Sequence, residues 1–207
     1  MSTARTLVAI VVAALSVITI GVSPTAAAKA TTSYHLEAYS NNCQFEGETD
    51  CVNITISIDF ASGGGAGTFC VSTQDNRVGG PPVATGCVTS TGIGLRKGSI
   101  VVPRITVPSV LAPACHPGDD GCVEQWVDVT ASATFQKTGR GEAYTTIDKV
   151  TAGQCETSTV TSGVRTAVSG TVTVNGTVYA LPGTDPTAHH RAATLVEESV
   201  RVRTRCR

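Results

Sequence analysis

Hydrophobic and polar residues alternate most cleanly in CVNITISIDF (51–60), where Val52, Ile54, Ile56, Ile58 and Phe60 fall on one side and Asn53, Thr55, Ser57 and Asp59 on the other. A period of two with one polar side predicts a strand with one buried and one wet face. GGGAG (63–67) breaks the alternation and TFCVSTQ (68–74) resumes it, which predicts a hairpin. VDVTASATF (127–135) alternates again. In TVTVNGTVYAL (171–181), Asn175-Gly176 stands between two β-branched runs, and that dipeptide suits the positive φ angles of a type I′ turn. Tyr34, Leu36 and Ala38 mark a first strand, with His35 on its polar side. TLVEESVRVRTRC (194–206) reads better as strand than as helix: Val196, Val200, Val202 and Thr204 share a side, with Arg201, Arg203 and Arg205 opposite. Many short antiparallel strands between Gly/Pro turns predict an all-β antiparallel sandwich, as one domain or two tightly packed small lobes. The Pro-rich stretch 101–118 is the expected seam between halves.

The first thirty residues follow another pattern. Arg5 is followed by an almost unbroken apolar run from Leu7 to Val22, then Pro24 and small residues with cleavage options at Ala28 or Ala30. This is the layout of a secretory signal peptide, and the run is shorter than a membrane span needs. Residues 1–30 are therefore expected to be removed, leaving 31–207 as an extracellular chain. Taking Arg5 and Lys29 away leaves 13 basic against 16 acidic side chains, a net charge of −3. No overall field draws that chain to nucleic acid or to an anionic membrane. Valine and threonine are plentiful and aromatic residues scarce, a bias that suits pleated, half-buried surfaces.

Eight cysteines, at 43, 51, 70, 87, 115, 122, 155 and 206, all fall after the leader. An even count in an exported chain implies disulfides. Sequential pairing is expected: Cys43–Cys51, Cys70–Cys87, Cys115–Cys122 and Cys155–Cys206. In the chain-entropy model each short loop is worth about 2.5–3 kcal/mol and the long one about 4. Together these rival the whole net stability of an ordinary domain, about 5–15 kcal/mol.

The order of TFCVST, GC, SVLAP, VDVTASATFQKTGRG, AVSGTV and a terminal Arg-Cys behind a signal peptide resembles a group of small exported proteins from high-GC Gram-positive bacteria. The resemblance implies a disulfide-bonded, all-β exported protein and supplies no catalytic residue.

Candidate chemistry is sparse. CHPGDDGC (115–122) gathers His116, Asp119 and Asp120 between two cysteines. Zinc would need thiolates that export oxidises, and calcium would need a longer alternating set of oxygens. A disulfide closing a β-turn is the plainer reading, with a presented recognition loop as the functional one. CQFEGETDC (43–51), with Phe45 and Glu46, offers the same option. His189 and His190 read as solvated loop residues, and Trp126 as packing near the Cys115–Cys122 clip. Arg201, Arg203 and Arg205 form a possible anion-binding face, set against a plain wet face balanced by Glu197 and Glu198. No Gly-x-Ser-x-Gly, His-Glu-x-x-His or phosphate-loop spacing occurs. The expectation is a non-enzymatic extracellular binding or surface-interaction module, with no cofactor or metal and with a protein or cell-wall ligand as partner. An inhibitor of an extracellular hydrolase that presents a disulfide-closed loop is the alternative, and a hydrolase with dispersed carboxylates or histidines the third.

Overall fold

The computed structural model describes residues 31–43, 51–75, 84–111, 125–182 and 190–206. Eleven strands follow one another: β1 (Thr32–Asn41), β2 (Val52–Ala61), β3 (Ala66–Asp75), β4 (Ala84–Thr91), β5 (Gly94–Arg96), β6 (Ser99–Leu111), β7 (Gln125–Lys137), β8 (Glu142–Ala152), β9 (Cys155–Val174), β10 (Thr177–Leu181) and β11 (His190–Cys206). Every pairing is antiparallel. The all-β, disulfide-stapled fold expected from the alternation is present. The Pro-rich stretch enters the sheet as β6 over Ser99–Leu111, and 112–118 lies outside the described residues. The leader lies outside them too.

The strand pairs also close on themselves. Following β9–β11–β1–β2–β3–β4–β6–β7 returns to β9, so the layers around the core are hydrogen-bonded to each other. The weakest joint is β4–β6, where only Ala84–Leu111, Thr85–Val110 and Gly86–Ser109 pair. Glycine at 86 is a packing requirement: a Cβ there would lie 2.2 Å from the Pro108 carbonyl oxygen. Between Val102 and Ile105 the β6–β7 register slips, at Pro103, which has no amide hydrogen for the ladder.

One core fills the circuit. Leu36, Ile54, Ile56, Ile58, Phe69, Val107, Phe135, Val172 and Leu195 are fully or almost fully buried, and they come from the inward-facing positions of seven strands. Burial of each such side chain contributes about 1.5–3 kcal/mol. Asp75, buried at the end of β3, accepts a 2.6 Å hydrogen bond from the Tyr179 hydroxyl. The Asn175-Gly176 turn has the expected positive φ angles, 47° and 87°. Asn175 also ties the turn to β7, because its Oδ1 accepts the Thr130 amide at 2.8 Å while its own amide donates to the Thr130 carbonyl.

Three disulfides lie among the described residues: Cys43–Cys51, Cys70–Cys87 and Cys155–Cys206. The last two join residues directly opposite each other on neighbouring strands. The expected Cys115–Cys122 pair lies outside the described residues.

Candidate functional site

Strand β9 is 20 residues long and serves two surroundings. Residues 168–174 pair with β7 and 170–174 also with β10, against the core. Residues 155–165 pair with β8 on one side and β11 on the other. The partner of β11 on the core side, β1, stops at Thr32 opposite Ser199. From Val200 onward β11 therefore pairs with β9 alone, and β8, 155–161 and 200–206 form a three-stranded arm leading away from the core. A two-residue turn at Gly153-Gln154 joins β8 to β9, and Cys155–Cys206 fastens β9 to β11 at the same end.

Both faces of the arm are wet. Register places Ile147, Val160 and Arg201 in one cross-strand row, Lys149, Ser158 and Arg203 in the next, and Thr151, Glu156 and Arg205 in the third, all on one face. This face continues the inward side of the core strands, because it carries the even positions of β9 that further on become Thr166, Val168, Val172 and Val174. The opposite face carries Val150, Thr157, Thr159, Val200, Val202 and Thr204. Val150, Val200 and Val202 are 64%, 47% and 62% exposed.

The three arginines are thus brought together as the sequence pattern implied, and β8 adds Lys149 beside them. With Glu156, Ser158 and Val160 they line a shallow concavity of about 380 Å³. Lys149 Nζ stands 3.5 Å from Glu156 Oε1. Among the described residues the three arginines make no ion pair. The balance expected from Glu197 and Glu198 is not realised. Glu197 shares the arginine face but lies nearer the core, where it pairs with Lys137. Glu198 points to the other face and accepts a hydrogen bond from the Tyr144 hydroxyl. Neighbouring strand residues face opposite ways, so these two carboxylates could not both have served the arginine row. Arg207 lies outside the described residues.

Tyr144 anchors the root of the arm. Its ring crosses Gly163 of β9 to reach Glu198 on β11, and a Cβ at 163 would lie 2.4 Å from the ring. The bond to Glu198 holds the phenol above its ordinary pKa, and burial and the nearby negative charge push the same way.

The other end of the molecule collects the ends of β1 and β2, of β3 and β4, and of β6 and β7, as the pairs Asn41–Asn53, Val52–Asp75, Ala84–Leu111 and Leu111–Gln125 require. Cys43–Cys51 lies there. Phe45 and Glu46, and Cys115, His116, Asp119, Asp120 and Cys122, belong to segments outside the described residues, as does His189. His190 pairs through its backbone with Asn41. Trp126, at the start of β7, is 70% exposed.

Two features were not anticipated. His35 meets Asp59, with Nδ1 and Oδ1 2.7 Å apart on an exposed face. Tyr34 and Phe60 stack with ring centres 4.6 Å apart and planes 8° from parallel, beside the Gly63–Gly65 and Gly92–Arg96 turns. Alternation marks each as an inward position. Only the β1–β2 register places them opposite each other. Among the described residues no group of three or more potential metal ligands occurs and no helix is long and apolar enough to cross a membrane. No family model, curated protein or solved structure matches this chain.

Proposed function

We propose that the chain is an exported, non-enzymatic binding protein, held together by disulfides and engaging a ligand outside the cell. The arm is the observation that carries this reading. A sheet is normally retained because one face is buried, and a small sheet with two wet faces adds little stability of its own. This chain nevertheless extends three strands into solvent and fastens their end with Cys155–Cys206. A covalently fastened surface loses little entropy when it meets a partner, which suits recognition. The leader-like N-terminus and the disulfides support an extracellular location.

The test uses mature, oxidised protein immobilised and exposed to culture supernatant and cell-wall fractions of the producing cell. Retention of a component by the wild type, with loss in a C155S/C206S variant whose core still melts cooperatively, supports the reading. Retention that is independent of the arm, or turnover of a bound component, contradicts it. The inhibitor reading has one observation in its favour: the strand ends flanking 44–50 and 112–124 gather at one end, with Cys43–Cys51 among them. Stoichiometric inhibition of a secreted protease, lost on changing Phe45 or Glu46 with folding intact, would select it.

A further inference from the structure

We infer that the arginine face of the arm binds an extended polymer of phosphate groups. This rests on the binding reading above and names its ligand class. Arg201, Arg203 and Arg205 alternate along one strand, which sets their Cα atoms about 6.8 Å apart on one face. Each guanidinium is a planar fork that matches two oxygens of one oxyanion. A single phosphate would satisfy one fork, whereas a repeating chain would meet all three.

The local charge is uncompensated. Lys149 and the three arginines oppose Glu156 alone in the concavity, and that carboxylate is taken up by Lys149. The site is therefore strongly positive on a chain whose net charge is −1 with the leader included. Such a local field favours a ligand that carries one negative charge per repeat. The row is also held in register without a bulge, because 13 consecutive pairs join β11 to β9 and the last of them is Cys206–Cys155.

The chemistry around the row narrows the class. The face carries Ala143, Thr145, Ile147 and Thr151 from β8, and Ser158, Val160 and Ser162 from β9. No aromatic ring on which sugars or bases stack lines the arginine concavity among the described residues: Tyr144 points to the other side, and Tyr34 stands nearer the core, opposite Glu197 and stacked on Phe60. Single-stranded nucleic acid draws much of its affinity from such stacking. What remains to be recognised is the repeat of charge.

Mature, oxidised protein titrated with long-chain inorganic polyphosphate tests this, with orthophosphate, a thymidine oligonucleotide and hyaluronate as parallel probes. Polyphosphate is expected to bind well over tenfold more tightly than orthophosphate and more tightly than either other polymer. Log affinity should fall with log salt at a slope of about −2 to −3, as for three or four released counterions. R201Q, R203Q and R205Q should each weaken binding roughly fivefold, the usual effect of one basic residue at an anionic surface. E156Q, which frees Lys149, should strengthen it. The inference is overturned if the folded triple arginine variant binds polyphosphate like the wild type, or if any other probe binds as tightly. It is equally overturned if E156Q leaves binding unchanged, a result that does not depend on how the triple variant folds. If polyphosphate fails while cell-wall retention still requires the arm, only the ligand class falls. If both fail, the binding reading falls with it.

Discussion

The two halves of β9 have the same backbone geometry and opposite surroundings. At 166–174 the even positions hold Thr166, Val168, Val172 and Val174 against the core. At 156–160 the even positions hold Glu156, Ser158 and Val160 beside a row of arginines on the neighbouring strand. The first half is kept by burial. The second is kept by hydrogen-bonded ladders, by Tyr144 across Gly163, and by a disulfide at its end. Strand pairing alone therefore does not say why a strand exists. A half that adds no residue to the core yet is fastened covalently points to a surface that is presented.

This contrast can be broken from either side. Phe135→Ala or Phe69→Ala empties a fully buried site and should cost about 3–5 kcal/mol in denaturant unfolding. Gly86→Val should also be severe, because its Cβ would fall on the Pro108 carbonyl at the narrowest joint of the circuit. Loss of cooperative melting would report it. Cys155→Ser with Cys206→Ser should cost at most about 4 kcal/mol, the chain-entropy value for a loop of this length. Amide exchange should then speed up at 155–161 and 200–206 well before 168–174.

Tyr144→Phe should cost about 1 kcal/mol through its lost hydrogen bond. It also carries a pH signature. The folded phenol titrates above the unfolded one, so between those two values the unfolded chain has lost a proton that the native state still holds. Its contribution is fully present below pH 10, the ordinary phenol value, and is lost as pH rises through the higher folded value. Wild type should therefore lose more stability than Tyr144→Phe above pH 10. Val202→Ala, on the wet face, should change stability by no more than about 0.5 kcal/mol.

The legible and illegible parts of the sequence divide along the same line. β2 and β7 announce themselves because a buried face selects apolar residues at every second position. β8 and the first half of β9 turn neither face to the core, so Thr, Ser and charged residues fill both sides and no alternation survives to be read. The arginine row was legible, because three like residues at alternate positions need only a strand to align them. Lys149 and Glu156 were not, since they join the row through β8–β9–β11 register that no local pattern encodes. Closure of the circuit was hidden for a similar reason, resting on three β4–β6 pairs and on β7–β9 pairs distant in the chain. The sequential disulfides at 43–51, 70–87 and 155–206 were legible from cysteine order and strand-like flanks.

The most direct measurement is amide hydrogen exchange along β9 in the free, mature, oxidised protein. Exchange is expected to be slow over 168–174, governed by global unfolding, and markedly faster over 155–161, governed by local opening of the arm. Equal protection from one end of β9 to the other would contradict it, because the arm would then be as much a part of the stabilising core as the strands that line it.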